Sequence, residues 1–137
     1  SPIVLFGVSL GAQSVLDLLA RVDAERICGA VLVGCIAEVP LTILPPLQRL
    51  DFIYGERDLV AYADESGTIG EAVPPSRYGP ATAANMVVLP RTAVGVEIVP
   101  EVGHRLERPG ADAPDEAIVT LVAERMVRAA TRPGDRP

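Results

Sequence analysis

The sequence contains no lysine; all twelve of its basic residues are arginine. That excludes Schiff-base chemistry and a Walker-type phosphate loop, both of which need an ammonium group. There is one histidine, His104, and there are two cysteines, Cys28 and Cys35, too few for a Cys/His zinc cluster. The cysteines close the two ends of one apolar run. A strand rising about 3.3 Å per residue holds such ends too far apart to bridge. They are therefore expected to be buried thiols, which fits a reducing, cytoplasmic compartment. No apolar run approaches the ~18 residues of a membrane-spanning helix, and there is no internal repeat or low-complexity tract. Positive charge is in deficit: twelve basic against eighteen acidic residues give a net charge of −6. A phosphate backbone would be repelled, so nucleic acid is not an expected partner.

What remains is ample for one core. The chain has 137 residues, 49% apolar and 22% charged, which sets it apart from disordered, coiled-coil and collagen-like chains. Ile3–Phe6 is a continuous apolar run and predicts a strand buried on both faces, ending at Gly7. Val15, Leu18, Leu19 and Val22 recur at the spacing of a helix face within Leu10–Val22. Ile27–Val33, closed by Gly34, predicts a second buried strand. Three prolines within Ala37–Gln48 allow at most a short helix there. Leu50–Tyr54 predicts a third strand, ending at Gly55. Asp64–Pro80 reads as loop, Ala81–Leu89 as a short helix and Val96–Val99 as a fourth strand. Pro114–Ala130 predicts a helix with Asp112 as N-cap. The polar end, 132–137, reads as a frayed tail after a single domain over 1–131. Strand and helix alternate with crossovers long enough for parallel pairing, so the fold class is α/β, a mostly parallel sheet of about four strands with flanking helices.

Three segments carry chemistry. Gly7-Val8-Ser9-Leu10-Gly11 is a G-x-S-x-G between a predicted strand and a predicted helix. A serine there sits on a tight strand-to-helix turn, where side chains at both flanking positions are expected to collide with neighbouring backbone. Its oxygen projects beside a helix N-terminus, which favours developing negative charge. Tyr54-Gly55-Glu56-Arg57-Asp58 follows the third strand, at the carboxyl edge where ligand chemistry gathers in such sheets. Asp58 is placed to orient an imidazole, with Glu56 as rival and Asp64 as a weaker one. Val102-Gly103-His104 follows the fourth strand.

Ser9, Asp58 and His104 thus each follow a separate strand, in that order. In this the chain resembles the α/β-hydrolase superfamily, from Pro2 to about Arg128. The resemblance implies Ser9 as nucleophile, His104 as general base and then acid, and Asp58 as the residue fixing the imidazole tautomer. It implies the Leu10 N–H as an oxyanion-hole donor and hydrolysis of a small-molecule ester or related acyl bond through an acyl-serine, with no cofactor and no metal. Arg105-Leu106-Glu107-Arg108-Pro109 resembles the acidic-x-Pro tail after that family's histidine. The family's earlier strands and the loop bearing its second oxyanion donor have no counterpart ahead of Ile3. The chain therefore reads as the C-terminal half of such an enzyme, weak or inactive alone, its Ile3–Phe6 strand an apolar edge open to self-association or a partner chain. The same absence allows a different class, a hydrolase-like interaction or ligand-binding subunit without catalysis. Residues 59–95, with Tyr62, Tyr78 and Met86, are read as surface loop and packing helix in preference to a lid. A nucleotide-binding α/β domain lacks both lysine and a G-x-G-x-x-G pattern.

Overall fold

The structure, a computed structural model, describes residues 2–131; the tail expected over 132–137 lies outside the described residues. The elements run β1 (Ile3–Val8), α1 (Leu10–Arg21), β2 (Ile27–Val33), β3 (Leu41–Thr42), β4 (Arg49–Gly55), α2 (Pro75–Ala84), β5 (Met86–Val87), β6 (Ala93–Val99) and α3 (Glu116–Ala130). The fold is α/β, as the alternation of elements predicted. β1, β2, β4 and β6 form one parallel sheet in that order, with α1 and α2 on one face and α3 on the other.

β2 lies inside the sheet, and all seven of its residues are buried, which is why its apolar run is unbroken. β1 has a run of the same kind but a different position. Among the described residues it pairs with β2 alone, and Phe6 is 43% exposed, so the expectation of burial on both faces fails and the expectation of an apolar edge holds. The strand also runs on through Gly7 to Val8.

One core lies beneath α1, where Ala12, Leu16 and Leu19 pack with Leu32, Leu50, Phe52 and Tyr54. The predicted helix face is therefore rotated. Leu18 and Val22 are exposed, because α1 sits over β1 at the sheet's rim and the sheet covers less than a full stripe of it. The other core joins Val31, Val33, Ile53 and Val99 to Leu106, Ile118 and Ala129.

Further boundaries shift for identifiable reasons. The segment Ala37–Gln48 makes no helix; its Leu41–Thr42 pairs with Met86–Val87 in a separate two-stranded sheet. The helix expected over Ala81–Leu89 runs instead from Pro75 to Ala84. Pro75 occupies its first turn, where a missing N–H costs nothing, and Pro80 removes a single internal hydrogen bond. Gly79 brings this helix onto Tyr54, since a Cβ there would lie 2.9 Å from the Tyr54 ring. The rings of Tyr54 and Tyr78 meet edge to face at 5.2 Å. β6 starts at Ala93, earlier than expected. α3 is capped by Asp115 in place of Asp112: its carboxylate accepts the Ile118 N–H at 3.0 Å and pairs with Arg108, which holds it below the usual carboxylate range.

The thiols are free and buried, as expected. Burial pushes Cys35 up to about 12 and raises Tyr54 and Tyr78 as well; the Asp58 charge adds to the rise at Tyr78. These groups keep their protons in the fold at a pH where the unfolded chain has released them. Their contribution to stability is complete below the ordinary thiol value of 9.0 and is lost as pH rises toward about 12. Urea-unfolding midpoints are therefore expected to hold steady through neutral pH and fall from about pH 9 upward. A midpoint that stays level across that range would contradict the burial of this group. Among the described residues, no helix is long and apolar enough to cross a membrane.

Candidate functional site

All four strands of the main sheet point the same way, so the segments that follow them gather at one edge. Ser9 follows β1, Gly34 follows β2, Asp58 comes after β4 and His104 after β6. Adjacent strands lie about 4.8 Å apart. His104 must therefore travel back across β4 to approach Ser9, and two glycines clear its path. At Gly55 a Cβ would stand 2.0 Å from the Gly103 carbonyl oxygen, so the returning loop lies directly on the end of β4. The Arg57 N–H donates to the Val102 carbonyl at 2.9 Å and fastens it there. At Gly34, whose φ is +67°, a Cβ would stand 2.8 Å from His104 Cε1 and 3.0 Å from Nδ1. The imidazole lies against bare backbone.

The result is a continuous row. Asp58 Oδ2 lies 2.7 Å from His104 Nδ1, and His104 Nε2 lies 2.8 Å from Ser9 Oγ. An ionised carboxylate can only accept. With Asp58 ionised, Nδ1 carries the ring proton and Nε2 accepts from the serine hydroxyl. Asp58 is nearly buried, and His104 is half exposed.

Ser9 has φ 56° and ψ −117°, a backbone state that a residue with a Cβ adopts at a cost of about 1–3 kcal/mol. It is held there from two sides: its N–H donates to Val33 at 2.8 Å, and its carbonyl accepts the Gln13 N–H at 3.1 Å. Leu10 is the first residue of α1. Its N–H belongs to the first turn, which has no preceding carbonyl within the helix to bond, and the residue is 81% exposed. The expectation about the two flanking glycines divides. A Cβ at Gly7 would lie 2.6 Å from the Gly11 carbonyl oxygen and 2.7 Å from Ala12 backbone, whereas a Cβ at Gly11 meets nothing within 4 Å. Gly7 faces the inside of the turn and Gly11 faces away from it. Gly7→Ala is therefore expected to destabilise the chain by about 1–3 kcal/mol. Gly11→Ala is expected to stabilise it by about 0.5–1 kcal/mol through helix propensity. Urea titration of both variants checks the pair, and equal losses would contradict the geometry.

The rivals of Asp58 are turned elsewhere. Glu56 Oε1 accepts the Glu101 N–H at 3.1 Å. Asp64 closes its own exposed turn by accepting from Ser66 and Thr68, which lowers its pKa. Glu107 braces the histidine turn: its carboxylate accepts the Arg105 N–H at 2.8 Å, and its carbonyl accepts the Gly103 N–H at 2.9 Å. Residues 59–72 divide between the expected surface loop and an exposed arm pinned by two antiparallel bridges, Val60 with Val73 and Ala63 with Ile69.

Sequence reasoning missed two supports. Gly34 was visible only as the end of a strand, and its contact with His104 had no local signal. Tyr78 donates its hydroxyl to the Asp58 carbonyl at 2.5 Å, from a segment read as loop; the Pro-Pro at 74–75 before it was a helix-start signal. With this geometry in hand, comparison of the chain with protein-family models, with curated proteins and with solved structures finds no match.

Proposed function

We propose that this chain carries the acyl-transfer centre of a serine hydrolase of the α/β-hydrolase type, acting on a carboxylic ester or related acyl bond. The observation that carries the reading is the unbroken Asp58–His104–Ser9 row with contacts of 2.7 and 2.8 Å. In the proposed reaction the Ser9 hydroxyl oxygen adds to the carbonyl carbon while its proton passes to His104 Nε2. The negative charge on the carbonyl oxygen is met by the Leu10 N–H at the start of α1. The tetrahedral adduct collapses, the bond to the leaving oxygen breaks, and that oxygen takes the proton from His104. Water then attacks the acyl-serine by the same route, giving up one proton through His104 to Ser9 and releasing the acid. Asp58 remains ionised and holds the imidazolium that forms at each step.

A second reading, a hydrolase-like interaction subunit, is favoured by the exposed apolar edge at β1. Labelling with a fluorophosphonate separates the two, because the reagent reports an activated serine without requiring the right substrate. The purified chain is expected to label at Ser9, and Ser9→Ala and His104→Ala are expected not to label. A folded wild-type chain that stays unlabelled would overturn the hydrolase reading and favour the second.

A further inference from the structure

His104 rests on two surfaces besides Ser9. Its ring lies on the bare backbone of Gly34, and its Nδ1 faces the Asp58 carboxylate. One tyrosine holds each surface from behind. Tyr54 donates its hydroxyl to the carbonyl of Cys35, the residue after Gly34, at 2.6 Å. Tyr78 donates to the carbonyl of Asp58 itself at 2.5 Å. Both phenols are buried. Burial is the largest cause of the rise in each pKa, and it keeps both hydroxyls protonated and therefore donors. Among the described residues, no other group bonds to the Cys35 or Asp58 carbonyl. The segment after Cys35 is secured separately: Gln13 donates to the Ile36 carbonyl at 2.7 Å and Asn85 to the Ala37 carbonyl at 2.9 Å. The two tyrosine rings meet edge to face with centroids 5.2 Å apart, and Gly79 sets α2 directly on the Tyr54 ring. Packing thereby fixes the two hydroxyls relative to one another.

We infer that Tyr54 and Tyr78 are positioning residues, which set the place and the tautomer of His104 by fixing the Gly34 platform and the Asp58 turn against one another. Its consequence for rate rests on the hydrolase reading; its consequence for the ring does not. Neither tyrosine touches Ser9 or the imidazole, so each acts through backbone. Removing one hydroxyl leaves a buried carbonyl without a donor, and the segment that bears it moves to find one. The Asp58–His104 bond is directional and weakens steeply once its two ends are turned. A ring that has lost its hold on the carboxylate is free to carry its proton on Nε2. In that state Nε2 donates, and it no longer accepts the Ser9 proton.

The test compares wild type with Tyr54→Phe and Tyr78→Phe, each of which removes a hydroxyl and keeps its ring. Thr92→Val is the control. It removes a buried hydroxyl that donates to the Leu47 carbonyl at 2.7 Å, ahead of β4 and β6 at the amino edge of the sheet. The chain has a single histidine, so nitrogen NMR of histidine-labelled protein reads the His104 ring alone. At mildly alkaline pH, where a free imidazole is neutral, wild type is expected to carry the ring proton on Nδ1. Both tyrosine variants are expected to move the ring signals toward those of free imidazole. They are also expected to label with fluorophosphonate about tenfold more slowly. Thr92→Val is expected to keep both readouts at wild-type values. Unmoved ring signals in folded tyrosine variants would overturn the inference, and labelling of Ser9 would leave the hydrolase reading standing. Signals that move in the tyrosine variants of a chain that never labels would support the positioning role while the hydrolase reading falls. A shift of equal size in Thr92→Val would mark a general loosening of the fold and overturn the inference. Where one tyrosine variant does not fold, the other decides.

Discussion

Asp58→Asn is expected to lower the rate of ester hydrolysis by about 10⁴-fold. The amide has nearly the shape of the carboxylate, so the Tyr78 hydroxyl bond to the Asp58 carbonyl and the burial of the side chain remain. What changes is the proton on the ring. A carboxylate accepts only, which keeps the proton on His104 Nδ1 and leaves Nε2 free to accept from Ser9. An amide offers its NH₂ to Nδ1 and moves the ring proton to Nε2, where it faces the hydroxyl it should receive from. The rest of the loss is the missing negative charge beside the imidazolium. Single-turnover rates with an activated ester check this, with Glu56→Gln beside it. Glu56 faces the Glu101 N–H and is expected to cost less than about tenfold. A loss at Glu56 that equals or exceeds the loss at Asp58 would reverse the assignment of the acid.

Asp51→Ala is expected to destabilise the fold by about 3 kcal/mol, a shift of about 10 °C in Tm. Asp51 is buried in the middle of β4 on the α3 side. Arg49 grips its carboxylate in a two-point pair at 2.9 and 3.1 Å, and Arg128 reaches it from α3 at 3.0 Å. Gly95 on the neighbouring strand makes the room, since a Cβ there would lie 2.5 Å from Asp51 Oδ1. Removing the carboxylate leaves two guanidiniums facing each other across a cavity, and Arg128 already has its Nε buried without a partner among the described residues. Replacing the whole triad is a different matter. Asp51→Leu combined with Arg49→Leu and Arg128→Met is expected to be near neutral, because the desolvation cost of three charges goes with them. Urea denaturation of both variants decides it. A loss below about 1 kcal/mol in the single variant would show that water screens this network.

The two results concern the carboxyl edge and the interior of one sheet. At its carboxyl edge the chain spends stability on a strained Ser9 and a histidine turn carrying φ 66° at Glu101 and φ 62° at Leu106. Within the sheet, α3 is clamped by charge as well as by apolar contact: Arg128 on Asp51, and Arg125 on Glu97 at 2.7 Å. The clamp ties α3, which packs chiefly on β2, to β4 and β6, and the start of the same helix supplies Ile118 beneath the histidine turn. Rigidity within the sheet supports strain at its carboxyl edge.

By itself the sequence determined the fold class, the placing of each candidate residue after its own strand, and the order Ser9, Asp58, His104. Those follow from local facts: unbroken apolar runs, glycines at their ends and a helical period after the first. It also determined that the cysteines are buried and unbridged. The tertiary structure decided what depends on neighbours distant in sequence. Ile3–Phe6 and Ile27–Val33 read alike, yet one is a rim and the other the centre, because only pairing partners distinguish them. Asp58 faces His104 and Glu56 does not, because the loop after β6 returns across Gly55 and sets His104 on Gly34. Leu18 and Val22 lie exposed because the sheet ends beneath α1, and Asp51 lies inside because two arginines and one glycine converge on it. Periodicity reports the face a segment prefers to bury. What is there to cover it is settled by the rest of the chain.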